Sequence, residues 1–152
     1  MKIQAIMTKD VATCRPDTDL AAVAVEMWHR DCGFVPIVDG DGTPVGVVTD
    51  RDICIAAATR GLTPTHLPAS AVMSRPVRSC LATDEVADAL AVMKQFQVRR
   101  LPVTDASGRL SGVVSLNDLI LASRRSKGLP AKDVLATLAA VCAHHHKAPA
   151  AV

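Results

Sequence analysis

The sequence predicts an α+β fold, α/β-like in its element order, in which two packed β-α-β-β-α units are followed by one more helix. The first observation behind this is an internal repeat. Gly46-Val47-Val48-Thr49-Asp50-Arg51-Asp52-Ile53 returns as Gly112-Val113-Val114-Ser115-Leu116-Asn117-Asp118-Leu119, and residues 7–53 slide onto 73–119 without a gap. Identities include Met7/Met73, Cys14/Cys80, Met27/Met93, Pro36/Pro102, Asp39/Asp105, Gly46/Gly112 and Asp52/Asp118. Two copies of one supersecondary unit are expected to pack together. The second observation is that the apolar pattern inside each copy switches between the helical and the strand period.

In the first copy, Val11-Ala12-Thr13 is expected as a short strand, and Leu20, Val23, Ala24 and Met27 then fall on one face of a helix. Phe34 to Val38 is an apolar run, Asp39-Gly40-Asp41-Gly42 turns, and Val45 to Val48 returns, which reads as a β-hairpin. Ile53 to Arg60 is alanine-rich and helical, with Gly61 as its C-terminal stop. The second copy repeats this order: a strand at Val77-Arg78-Ser79, a helix carrying Val86, Ala89, Leu90 and Met93, then strands at Leu101 to Thr104 and Leu110 to Val114 around a Ser107-Gly108 turn. Pro64 and Pro68 discourage a continuous helix between the copies. The units are therefore 1–61 and 71–127, with 62–70 as linker and 128–152 as a C-terminal helix and tail. In that helix Val134, Leu135, Leu138 and Val141 share a face that is expected to dock on the repeat or on a partner chain.

With 152 residues and 49% apolar content the chain has ample material for a core. A formal charge of +2 and only three aromatic residues, Trp28, Phe34 and Phe96, argue against nucleic acid as the main ligand. Residues 1–6 lack the apolar core of a signal peptide and no stretch is long enough to span a bilayer, so a cytoplasmic protein is expected. Five cysteines, at 14, 32, 54, 80 and 142, show no C-x-x-C spacing and are expected as reduced thiols, mostly buried.

Thr49-Asp50-Arg51-Asp52 lies where an apolar strand gives way to a helix, with a hydroxyl three residues before a carboxylate. One reading is a helix cap, worth about 1 kcal/mol. The other is an anion site, since the same geometry presents unpaired N–H groups to a ligand and Arg51 adds a full positive charge. Thr49 and Arg51 would suit phosphate oxygens, and Asp52 a vicinal diol. Spacing alone favours the cap by roughly three to one. Ser115 and Asp118 restore hydroxyl and carboxylate at the same offset in the second copy, and capping explains both.

The unit, with its two junction motifs and the Val35-Pro36-Ile37 and Leu101-Pro102-Val103 strands, resembles the cystathionine-β-synthase (CBS) domain, and the tandem pair resembles a Bateman module across about residues 3–125. The resemblance implies a pseudo-two-fold disc with adenosine ligands (AMP, ADP, ATP, S-adenosylmethionine, NAD) in clefts between the motifs. It also implies that Asp52 and Asp118 bind ribose, that Thr49 and Ser115 approach phosphate, and that Thr13, Ser79, Val35, Pro36, Leu101 and Pro102 lie along the adenine pocket, largely through backbone groups. Arg99-Arg100 is similar to the family's basic pair that reaches phosphate. This chain departs from the pattern at Leu116-Asn117, which replaces Asp50-Arg51, and at Gly33-Phe34, which replaces Arg99-Arg100. The expectation is two unequal sites, with Arg51 and Arg100 from opposite halves acting on one polyphosphate and Asn117 standing in the weaker cleft.

Other residues rank lower. Cys142 and His144 to His146 carry metal-ligand atoms, but consecutive histidines diverge around a helix. Cys14 and Cys80 lack an assignable third partner for zinc or redox work, and Arg124-Arg125-Ser126-Lys127 reads as a solvated helix end. No nucleophile is paired with a base, so catalysis is not expected. The sequence thus points to a regulatory sensor, without a resident cofactor, that binds an adenine nucleotide and signals through a homodimer or a protein partner. The alternatives are a ligand-free interaction module and a metal- or redox-responsive one using Cys14 and Cys80.

Overall fold

The computed structural model describes residues 1–126 and 128–143; the expected histidine run lies outside them. In the first unit, helix α1 (Leu20–His29) leads into strands β1 (Phe34–Val38) and β2 (Pro44–Thr49) and helix α2 (Asp50–Thr59). In the second, strand β3 (Cys80–Leu81) precedes α3 (Val86–Phe96), β4 (Arg100–Thr104), β5 (Leu110–Ser115) and α4 (Leu116–Arg125), after which comes α5 (Ala131–Cys142). Helix α1 starts where Asp19 Oδ1 accepts from the Ala22 N–H at 2.9 Å, and its Leu20, Val23 and Met27 face the core. The hairpins β1–β2 and β4–β5 share one register, with Val35 opposite Val48 and Leu101 opposite Val114. Each turns at a glycine with φ +83°, Gly42 or Gly108, a conformation that side chains with a Cβ avoid.

The lead-in strands differ from expectation. At Val11 to Thr13 no strand forms, and the first unit keeps a single parallel bridge from Cys14 to Ile37; in the second, β3 begins at Cys80 rather than Val77. The preceding residues instead cross to the other unit. Thr8 pairs with Val113 on the edge of β5, and Ser74 pairs with Val47 on the edge of β2. Likewise Lys2 bridges Glu85 while Pro68 bridges Asp19. Each of these pairs becomes the other when the repeat offset is applied, so the two halves exchange their lead-in segments about a pseudo-two-fold axis. The cores follow the same exchange. Ile3 is buried in the second unit's cluster with Met93, Leu101 and Leu119, and its equivalent Ala69, with Leu67, is buried in the first unit's cluster with Leu20, Val35 and Val48.

Gly46 and Gly112 show why the repeat keeps glycine there. A Cβ on Gly46 would collide with the Met73 side chain, and one on Gly112 would lie 2.5 Å from the Thr8 carbonyl oxygen, because the exchanged segments cross directly over these residues. A strand glycine elsewhere is improved by alanine. Here Gly112→Ala is expected to destabilise the fold by about 1–3 kcal/mol through overpacking against backbone, read as a lower urea midpoint; an unchanged midpoint would show that the Thr8 segment moves aside freely.

Helix α5 packs on α3 and α4. Val134 and Thr137 are buried, and Leu138 and Val141 pack on the second core, but Leu135 is 65% exposed. The docking face is thus rotated from the expected one, with Thr137 in place of Leu135. The helix hides that hydroxyl by donating it to the Asp133 carbonyl at 3.0 Å. Trp28, on α1, is 84% exposed.

Candidate functional site

Both strand-to-helix junctions form complete capping boxes. Thr49 Oγ1 accepts from the Asp52 N–H at 3.3 Å, and Asp52 Oδ2 accepts from the Thr49 N–H at 2.8 Å and from the Thr49 hydroxyl at 2.7 Å. Ser115 and Asp118 reproduce this, at 3.3, 2.8 and 2.6 Å. This is why α2 starts at Asp50, three residues before the apolar pattern becomes helical. One oxygen of each carboxylate does all the capping. Among the described residues Oδ1 of Asp52 and of Asp118 carries no side-chain hydrogen bond, so each carboxylate retains an acceptor while serving as a cap.

Among the described residues, two of the clefts between the units have walls that largely correspond through the repeat. Cleft A, about 660 Å³, is lined by Thr49 and Arg51 from the β2–α2 junction, by Ser74 and Arg78 from the second unit's lead-in, and by Gln97 to Arg100 and Pro102. Cleft B, about 320 Å³, is lined by Ser115, Asn117 and Asp118, by Thr8, Asp10 and Ala12, and by Asp31, Cys32 and Phe34. Each cleft therefore combines one unit's junction with the other unit's lead-in and hairpin. Gln97 and its equivalent Asp31 share a left-handed backbone, φ +52° and +48°, that residues with a Cβ seldom adopt. In both halves this strained turn closes helix and cleft together.

The clefts differ in charge. Arg51, Arg78, Arg99 and Arg100 line cleft A, with no carboxylate among its described lining residues. Cleft B has Arg30 and Arg100 but also Asp10, Asp31 and Asp118, and Arg30 is held by Asp10 at 2.9 Å. Cleft A is suited to a polyanion: four guanidiniums that each donate in a planar fork, beside the N-terminus of a helix. In cleft B the acidic groups cancel that field.

The structure brings Thr49, Arg51, Arg100 and Pro102 together in cleft A, and Ser115, Asn117 and Asp118 in cleft B, which Arg100 also reaches. Asp52 stands half-buried behind Thr49 and does not line cleft A. Val35, Pro36 and Leu101 are buried in the cores, while Thr13 and Ser79 are exposed on the lead-ins, and none of these five lines either cleft. Sequence reasoning passed over Arg78 as a site residue. Its signal was the repeat itself, where the first copy has Ala12; the guanidinium sits 3.9 Å from the centroid of the Phe96 ring, a cation–π contact that steadies it at the cleft. Gln97 was passed over too, since its strained turn is invisible to periodicity.

The thiols are placed differently. Cys14 and Cys80 are buried and free; burial, with the Asp84 charge, pushes the Cys80 thiol up to about 12, and burial, then Glu26 and Cys32, raises Cys14. Thiols so raised are protonated at neutral pH and poor nucleophiles. Among the described residues no three His, Cys, Asp or Glu side chains gather as a metal-binding group, and no helix is long and apolar enough to cross a membrane.

Comparison with known proteins agrees with this architecture. Residues 3–58 and 69–125 match the CBS domain. An uncharacterised protein of Methanopyrus kandleri, MK0525, is 32% identical over 115 residues, covering 76% of this chain and 59% of that protein, so the chain spans less than two thirds of this relative. Among solved structures, hypoxic response protein I with two coordinated zinc ions is 31% identical with a TM-score of 0.73, covering 80% of this chain and 98% of that one. The CBS domain protein PAE2072 of Pyrobaculum aerophilum, complexed with AMP, superimposes with a TM-score of 0.75 at 24% identity, covering 89% of this chain and 99% of that one. Two matched segments, one per repeat, together with a shared fold, place this chain in the CBS domain family as a tandem pair.

Proposed function

We propose that this chain is a regulatory module that binds one adenosine polyphosphate, ATP or ADP, in cleft A and transmits occupancy to a protein partner or a second copy. The observation that carries the reading is the charge of the clefts: Arg51, Arg78, Arg99 and Arg100 meet in A without a lining carboxylate, whereas B mixes both signs. AMP in the Pyrobaculum aerophilum protein supports the adenosine part. Asp52 stands just behind the cleft-lining Thr49; in this reading the Thr49 hydroxyl, now donated to Asp52, turns to a phosphate oxygen when one arrives, and that turn opens Oδ1 of Asp52 to a ribose diol. The module acts by differential affinity for two arrangements and catalyses nothing. Val25, Trp28 and Ile55 are exposed on α1 and α2, and a cytoplasmic homodimer through these helices is part of this reading.

Calorimetric titration with AMP, ADP, ATP, S-adenosylmethionine and NAD tests it, with light scattering on the same samples for the dimer. Saturation near one polyphosphate per chain is expected, with AMP weaker. Silence across the panel would overturn the reading in favour of a ligand-free interaction module.

A further inference from the structure

We propose that the C-terminal end of α5 is a ligand-contacting wall of cleft A, so that nucleotide uptake and the docking of α5 on α3 and α4 form one linked equilibrium; this rests on the nucleotide reading above. Helix α5 lies beyond the residues that match the CBS domain, yet Val141, Cys142 and Ala143 line cleft A. Cleft B has no such third wall, its described lining coming from the two units alone. The end of α5 is seated by the same residues that shape the cleft. Gln97 Nε2 donates to the Ala140 carbonyl at 2.9 Å and to the Ala143 carbonyl at 3.1 Å, and Arg99 Nη2 lies 3.8 Å from Cys142 Sγ. Further back, Val134 and Leu138 anchor the helix on the second core without lining cleft A.

The coupling follows from differential contact. A ligand filling cleft A touches Val141 only while α5 is docked, and the docked helix also holds Gln97 and Arg99 at the cleft. The ligand therefore binds the docked arrangement better and shifts the population towards it. One term opposes this: the C-terminus of a helix carries a partial negative charge of about half a unit, which disfavours a nearby phosphate. The guanidiniums of Arg51, Arg78, Arg99 and Arg100 carry whole positive charges in the same cleft and outweigh it. By reciprocity, docking strengthens ATP binding by the factor by which ATP strengthens docking.

Two measurements on the full chain test the linkage. Amide exchange of residues 134–142 is followed with and without ATP, and ATP affinity is compared between the unaltered protein and Leu138→Ala, which loosens α5 at a residue outside cleft A. ATP is expected to slow exchange across α5 several-fold, and Leu138→Ala to weaken ATP about fivefold, at the low end of the range for coupled sites. If the unaltered protein binds ATP but α5 exchange and the Leu138→Ala affinity stay the same, the linkage is wrong and the nucleotide reading survives. If the unaltered protein binds no ATP, the nucleotide reading fails and the linkage falls with it.

Discussion

Arg51→Ala is expected to weaken ATP binding by roughly 10- to 100-fold, and Arg100→Ala by a similar factor, because each removes a charged donor worth about 1.5–3 kcal/mol to a phosphate oxygen. The two residues come from opposite units, one at the start of α2 and one at the start of β4, and the exchanged topology brings them to the same cleft. Arg51 is exposed, so its loss removes little packing and the effect is read on binding rather than on folding. The loss should shrink from ATP to ADP to AMP and vanish for adenosine, since it follows the phosphates. Asn117→Ala supplies the control: it changes the matching position of cleft B, which Asp10, Asp31 and Asp118 also line, and should leave ATP affinity unchanged. Calorimetry of the three variants decides the matter. Unaltered affinity in both arginine variants would remove cleft A as the phosphate site.

What the sequence made legible was whatever repeats or alternates. The hairpins, the helix faces carrying Leu20, Val23 and Met27 or Val86, Ala89 and Met93, and the two junction motifs all rest on local period or on the repeat offset, and each lies where periodicity places it. The lead-in segments were not legible, because their pairing is with the other unit. Thr8 meets Val113 and Ser74 meets Val47, each across the boundary between the units, and nothing in Val11 to Thr13 distinguishes a local strand from an exchanged one. The site divides in the same way. Arg51, Arg78 and Arg100 all break the matched repeat, but Arg78 sits on a lead-in whose path depends on the exchange, so the break alone does not bring it to a cleft. The face of α5 was visible, but where its last turn falls is set by Gln97, a residue whose left-handed backbone answers to tertiary packing.

Asp52→Ala and Asp118→Ala form the sharpest pair of variants, since the two carboxylates make the same cap and differ in the cleft they serve. Each holds its own box through Oδ2, with distances that agree to about a tenth of an ångström, so each substitution removes the same hydrogen bonds and should cost about 1 kcal/mol of stability. Chemical denaturation should therefore show two nearly equal losses. Binding should separate them. If Oδ1 of Asp52 accepts from the ribose, Asp52→Ala loses a charge-assisted hydrogen bond worth roughly tenfold or more in ATP affinity. It also frees the Thr49 hydroxyl from its acceptor, which improves that donor for phosphate and partly offsets the loss for ATP but not for adenosine. Adenosine should thus suffer the larger fold-change in Asp52→Ala and none in Arg51→Ala, the reverse of the arginine pattern. Asp118→Ala should leave ATP affinity in place. Equal stability losses with unchanged binding in both aspartate variants would mean that the repeated hydroxyl and carboxylate are helix caps and nothing more.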